Sequence, residues 1–223
     1  MPRARITLDT FLNVVMAGSA LVVAVTFLMR GGGEGSRPNQ RSFTLKPALW
    51  QDALEGGHRI GSGDAPAQLV VVADFQCPAC KRFNGQVLPR VREQFGEQLA
   101  ISFRHWPLAY HQEAVPAAIA AECAAEQGAF WALHDTLFAQ QASLGTKPYV
   151  LLAAEAGVAD TSAFQHCLSG PDVAATVQRD LELAESIGGG GTPTIILNGV
   201  VLGSGSLEGV LSEAIKAEIE KSR

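Results

Sequence analysis

The sequence predicts an α/β domain that carries a helical insertion and follows a single apolar segment of membrane length. Three observations predict it. A run of mostly β-branched residues, Leu69–Ala73, leads into a helix start that holds Cys77 and Cys80. Far downstream, Thr192-Pro193 opens a second strand-rich stretch built around Asn198-Gly199. Between them, roughly His111 to Ile187, the chain is alanine-rich and reads as a succession of helices. At 223 residues, one principal domain with such an insertion fits better than two independent domains.

Composition excludes several classes. Hydrophobic residues make up 47% and charged residues 17%, too apolar for a wholly disordered chain. The 17 Lys and Arg against 22 Asp and Glu give a net charge of -5, and no basic run forms a phosphate-binding stripe. Nucleic acid is therefore not an expected partner. Four cysteines are too few for a disulfide-dense miniprotein, so their spacing carries the information.

Residues 1–10 form an N-terminal tail, expected on the cytoplasmic side. Phe11–Met29 follows, nineteen residues without a formal charge. As a helix it spans roughly 28 Å, close to the hydrocarbon thickness of a bilayer. Asn13, Ser19 and Thr26 are its clear polar interruptions. The expectation is an uncleaved transmembrane anchor. A cleaved signal peptide is the alternative, with a long apolar region and no A-x-A site; a buried soluble helix is the third. Arg3 and Arg5 precede the span while Arg30, Arg37 and Arg41 follow it, so charge does not orient it. Residues 30–42, including the run GGGEGSRPN, read as a flexible linker.

The α/β domain is expected in two parts, 43–110 and 188–223, with 111–187 inserted. Leu45–Ala53 reads as a short helix packing through Leu49, Trp50 and Ala53, and Gly56–Gly63 as turns. Leu69–Ala73 has the composition of a strand buried on both faces. After Asp74-Phe75-Gln76 a helix runs from Cys77-Pro78-Ala79-Cys80 to about Phe95. Cys80, Phe83, Val87, Val91 and Phe95 make its apolar stripe. Pro78 suits the first turn, and Pro89 should kink the helix. Leu99–Trp106 reads as a second strand, with Ile101 and Phe103 alternating. The insertion divides into Gln112–Glu126, Phe130–Ala142, Pro148–Ala156, Thr161–Leu168 and Pro171–Ile187, broken at Gly128, Gly145, Gly157 and Gly170-Pro171. Thr194–Leu197 and Val200–Leu202 make a hairpin across Asn198-Gly199. A final helix from Leu207 to about Ile219 packs through Leu207, Val210, Leu211, Ala214, Ile215 and Ile219.

The chemistry centres on Cys77. Beside a helix N-terminus, unpaired amide donors and the local dipole favour its thiolate. Cys80 lies one turn on, close enough to resolve a mixed disulfide or close a ring. A CxxC also fits half a zinc site or a structural pair, but five scattered histidines, Cys123 and Cys167 supply no second compact pair. Redox chemistry is the expectation; no metal or other cofactor is expected. Pro193 is either an ordinary trans proline or a cis proline that exposes the Thr192 backbone to an extended substrate beside Cys77. Phe75 and Trp106 are groove-lining candidates, with core packing the alternative. His105 and His111 tune the site or make structural hydrogen bonds.

Assembled, these pieces resemble the DsbA-like thioredoxin-fold family: Cys77-Pro78-Ala79-Cys80, FRHWPL from Phe103 to Leu108, His111, and Gly191-Thr192-Pro193 with its hairpin. GHRIGSGDAP, DFQCPAC, AAECAAEQGAFWALHDTLF and FQHCL look like its membrane-anchored, extracytoplasmic bacterial branch. The resemblance covers about Phe43 to Ile219. It implies a four- or five-stranded thioredoxin fold with an inserted helical domain, attached to the inner membrane with its catalytic domain in the periplasm. It also implies thiol–disulfide exchange on secreted polypeptides, with Cys77 attacking, Cys80 resolving and Pro193 the cis proline. One departure stands out: the buried acid that many relatives keep six residues before the first cysteine is Val71 here, and Asp74 is three residues before it.

An oxidant acting on unfolded cysteine-containing polypeptides, recycled by a quinone-linked membrane oxidase, is the leading expectation. A reductase or isomerase of the same fold is the alternative, and a redox-inactive peptide-binding or chaperone module is a third. No obvious dimerisation domain precedes the catalytic part, which weakens the isomerase architecture and favours the oxidant; a monomer is expected. In an oxidising compartment Cys123 and Cys167 are expected to staple the insertion, against the alternative of two free buried thiols.

Overall fold

The computed structural model describes residues 42–202 and 207–222. The tail, the apolar segment Phe11–Met29 and nearly all of the linker lie outside the described residues. Among the described residues, no helix is long and apolar enough to cross a membrane.

Among the described residues, six strands form one sheet in the order β1-β6-β5-β3-β4-β2. They are β1 (Phe43–Thr44), β2 (His58–Ile60), β3 (Ala67–Ala73), β4 (Leu99–His105), β5 (Thr194–Leu197) and β6 (Val200–Val201). This exceeds the four or five strands expected. The extra pairing comes from two very short edge strands, which local patterning does not signal. β2 lies within the glycine-rich stretch expected to be turns. It is a strand because His58, Arg59 and Ile60 pair antiparallel with Phe103, Ser102 and Ile101.

β3 sits centrally, parallel to β4 and antiparallel to β5. Both of its faces are covered, so its apolar run is continuous. Leu69, Val71 and Ala73 enter the larger core cluster, while Val70 and Val72 enter a second one on the opposite face. That second cluster is completed by Ala53 of α1 (Pro47–Glu55) and by Leu183, Ala184 and Ile187 of a long later helix, Pro171–Ile187. In β4 the alternate positions are buried as well: Ser102 is 1% exposed and Arg104 3%. Arg104 is held there by Asp180 at 2.9 Å.

The helix after β3 runs as α2 (Pro78–Arg82), a π-helical turn (Phe83–Val87) and α3 (Leu88–Phe95). The expected stripe is therefore displaced: Leu88, rather than Val87, is buried after Phe83. Leu88 N–H bonds to the Phe83 carbonyl, a five-residue step that inserts one extra residue just before Pro89. Pro89 lacks the donor that a regular ladder needs, so the irregularity sits where a backbone bond is missing anyway.

The insertion follows as α4 (Ala114–Ala125), α5 (Phe130–Ala139), α6 (Tyr149–Glu155), α7 (Thr161–Cys167) and α8 (Pro171–Ile187). α8 packs across β4 and α1, placing it in the layer that covers the sheet. Cys123 in α4 and Cys167 at the end of α7 are joined by a disulfide, with Cα atoms 5.7 Å apart. The β5–β6 hairpin turns at Asn198 (φ 44°) and Gly199 (φ 82°), a pair of left-handed residues that suits the Asn-Gly sequence. Asn198 also caps the sheet: its side chain accepts from Gln68 N–H and donates to the Pro66 carbonyl. The last helix, α9 (Leu207–Lys221), buries Leu211, Ile215 and Ile219. Val210 is 47% exposed, so the buried face is narrower than the sequence suggested, and the Leu207 side chain lies outside the described positions.

Candidate active site

Sheet register brings the Cys77–Cys80 segment and the Thr192-Pro193 step together. Val72 of β3 pairs with Thr194 of β5, and the strands run antiparallel. The chain leaving β3 toward Cys77 therefore emerges beside the chain entering β5 from Thr192-Pro193. The Thr192–Pro193 peptide is cis. The Cys77 thiol donates to the Thr192 carbonyl at 3.6 Å, across 115 residues of sequence.

Cys77 is the N-cap of α2, with extended backbone, and Pro78 occupies the first turn. Cys77 is 7% exposed and Cys80 fully buried, so an incoming sulfur meets Cys77 first. The Cys77 thiol is pushed down to about 5. The largest cause is the Cys80 thiol donating to the Cys77 sulfur. Burial opposes the shift, and the Thr192 hydroxyl with the Cys80 and Ala79 amides adds to it. The Thr192 hydroxyl is buried without a partner of its own, so a Cys77 thiolate is the acceptor within its reach. Burial, reinforced by the neighbouring Cys77 anion, pushes the Cys80 thiol far up.

The loop before the cysteines is tied down by groups that lie far away in sequence. Asp74 is 1% exposed and accepts from Gln76 N–H at 2.6 Å, Leu108 N–H at 2.9 Å and His111 Nδ1 at 2.8 Å. It is a staple between the ends of β3 and β4. Gln141 donates through Nε2 to the Phe75 and Cys77 carbonyls at 2.7 and 3.0 Å. No sequence signal marked Gln141, which follows α5 in a short 3-10 turn.

The remaining candidates divide between the site and the core. Phe75 is 1% exposed and packs against Phe103 and Phe138, beneath the site. Trp106 is half-buried against the second core cluster. His105 is 1% exposed, with its ring nitrogen Nε2 2.7 Å from Glu122. His111 stays near the site through Asp74. Pro78 is exposed and Ala79 half-buried, a small uncharged rim beside Cys77. Glu122 was not singled out in the sequence; the packing of α4 on the sheet reveals it, with His58 and His105 both against one oxygen. Burial would raise its pKa, but hydrogen bonds from His105 and then His58 hold the carboxyl down at about 2.

A family model described as thioredoxin matches residues 53–217. Among curated relatives, Na(+)/H(+) antiporter NhaA 3 of Salinispora tropica is 40% identical over 146 residues, covering 64% of this chain and 22% of that protein. Na(+)/H(+) antiporter NhaA of Herminiimonas arsenicoxydans is 36% identical over 166 residues, 74% of this chain and 25% of that protein. The chain thus spans about a quarter of the length of the curated relatives it matches. Among solved structures, oxidised BdbD from Bacillus subtilis superposes with a TM-score of 0.69 at 24% identity, covering 80% of this chain and 98% of that one. The catalytic domain of Proteus mirabilis ScsC gives 0.65 at 26% identity, covering 78% and 96%.

Proposed function

The chain belongs to the thioredoxin family, its match running over residues 53–217, and from that premise we propose that it is an extracytoplasmic oxidant which introduces disulfides into cysteine-containing polypeptides. That its chemistry is thiol–disulfide exchange follows from the family and the close cysteine pair. The direction rests on the donors gathered on the Cys77 sulfur, the Cys80 thiol first, which hold its pKa down at about 5.

A substrate thiolate attacks the Cys77 sulfur of the Cys77–Cys80 disulfide, forming a mixed disulfide and releasing Cys80, which takes up a proton. A second substrate thiolate then attacks the substrate sulfur, and Cys77 leaves as the thiolate. The substrate dithiol loses two electrons and two protons, one proton passing to Cys80 and the other to solvent, and the enzyme ends reduced, with Cys80 as the thiol and Cys77 as the thiolate. A stabilised Cys77 thiolate favours this direction twice over, as a better leaving group and as a more stable reduced enzyme. Burial also keeps Cys80 as the thiol, which is slow to attack the mixed disulfide and send the substrate away unreacted.

Thr192 and Pro193 present backbone to an extended client as an added strand, which keeps selectivity broad. The protein acts as a monomer in the periplasm, tethered through Phe11–Met29, and a quinone-linked membrane oxidase recycles it. Protease treatment of intact spheroplasts checks the placement: digestion of the domain before lysis is expected, and protection until lysis overturns it. The decisive measurement is the Cys77–Cys80 reduction potential with its redox state in cells. A value near about -120 mV with a mostly disulfide form is expected, while about -270 mV with a mostly dithiol form assigns the protein as a reductase.

A further inference from the structure

The larger core contains a second cluster with its own chemistry. His58 stands on edge strand β2, His105 on β4 and Glu122 on α4. Both histidine Nε2 atoms lie 2.7 Å from the same carboxylate oxygen, Glu122 Oε1. The three ligand atoms fall within 4.8 Å of one another. No sequence motif announces them, because His58 and His105 are 64 and 17 residues from Glu122. Register assembles the set: His58 pairs with Phe103, two positions before His105, so both rings stand on the sheet face that α4 covers.

We propose that His58, His105 and Glu122 form a binding site for a divalent transition cation of the zinc class. Two imidazole nitrogens and one carboxylate oxygen are donors that suit zinc and disfavour calcium or magnesium. The site has a route in, since the His58 side chain is 27% exposed whereas those of His105 and Glu122 are 1% and 9% exposed. A fourth ligand, water or an incoming group, would have to come from that side. The His58 ring is fixed in plane by Phe130, stacked at 3.7 Å and 16°.

Ligands around a tetrahedral zinc stand about 3.3 Å apart, so each nitrogen–oxygen pair must open by about half an ångström. His58, on a three-residue edge strand, is the ligand placed to move. His105 Nδ1 is buried without a partner. Its outer support is missing, which weakens the site by about 10–100-fold relative to a fully supported one. The ion would link β2, β4 and α4, so binding is read as stability of the fold and does not depend on the redox reaction.

The test uses the full chain with Cys77→Ser and Cys80→Ser, so that the dithiol cannot capture the metal, stripped with chelator and then titrated with zinc. One zinc per chain and a rise in Tm of about 5 °C at saturation are expected. His58→Ala, at a half-buried edge position that leaves the core intact, is expected to lower zinc affinity at least tenfold. Cobalt(II) in place of zinc is expected to give the visible absorption of a four- or five-coordinate site, lost in the same variant. A chain that takes up no zinc at micromolar concentration, or a His58→Ala chain that binds it equally well, overturns the proposal and leaves the cluster a hydrogen-bonded clasp.

Discussion

Two cysteine pairs in one molecule are placed as opposites. Cys77 and Cys80 are three residues apart at a helix start, while Cys123 and Cys167 are separated by 44 residues and joined across two helices. Cys77 lies beside the Thr192 carbonyl, and the Cys80 thiol does most to hold its pKa near 5. Cys123 is fully buried among the alanines of α4, Phe130 and Phe164. Sulfur is the same in both; the backbone donors and access to solvent differ. An accessible thiolate makes exchange fast, whereas an apolar, long-range cross-link makes the fold durable.

Removing the reactive sulfurs gives the largest expected effect. Cys77→Ala abolishes disulfide transfer to a reduced model protein, and Cys80→Ala accumulates mixed disulfides through Cys77, identified by mass mapping. Transfer that survives in Cys77→Ala would erase the functional side of the comparison.

Next comes the structural side. Replacing both Cys123 and Cys167 with alanine opens a loop of about 44 residues and is expected to cost about 4 kcal/mol on a chain-entropy estimate. Denaturant unfolding measures this, and exchange activity at low temperature should persist. With mild reductant, alkylation should label Cys77 and Cys80 first. Equal labelling of all four positions would show that the two pairs do not differ in reactivity.

A smaller effect separates the redox forms by pH. The folded Cys77 pKa lies below its ordinary value of 9.0, so its stabilisation of the dithiol form is full above about 9. It shrinks as pH falls toward 5. Cys80 does not reverse this in the window, because a raised pKa acts only above its ordinary value. The difference in stability between dithiol and disulfide forms should therefore shift toward the dithiol from pH 5 to 8, with thiolate absorbance titrating near 5. A flat difference would detach the thiolate from the oxidant reading.

The smallest effect belongs to Gln141→Ala. It removes two hydrogen bonds to the reactive loop, at the Phe75 and Cys77 carbonyls. A loss of about 1 kcal/mol in chemical denaturation is expected. This is well short of the covalent cross-link, as a polar clasp should be.

Local rules made much of the molecule legible. The five helices of the insertion follow their glycine breaks: Gly128, Gly145 and Gly157 all have positive φ, and Gly170-Pro171 opens α8. The Asn198-Gly199 hairpin and the Cys77 N-cap are likewise short-range features. The limits show at particular residues. Val87 fits a regular apolar stripe, yet the π turn before Pro89 buries Leu88 instead. Asp74 stands three residues before Cys77 in the sequence; only the return of Leu108 and His111 makes it a buried staple.

What the sequence determined by itself is what neighbouring residues can decide: strand runs, helix starts and stops, a tight turn and a cysteine placed where a helix offers free amides. The tertiary structure alone decided which distant groups meet. β3–β5 register put Thr192 against Cys77, β2–β4 register put His58 and His105 on one face, and α4 brought Glu122 to both. The physical reason is range. A backbone conformation costs or gains free energy within a few residues, whereas a buried carboxylate, an unpaired hydroxyl or a thiolate is stabilised by whatever the packed sheet brings within hydrogen-bond distance.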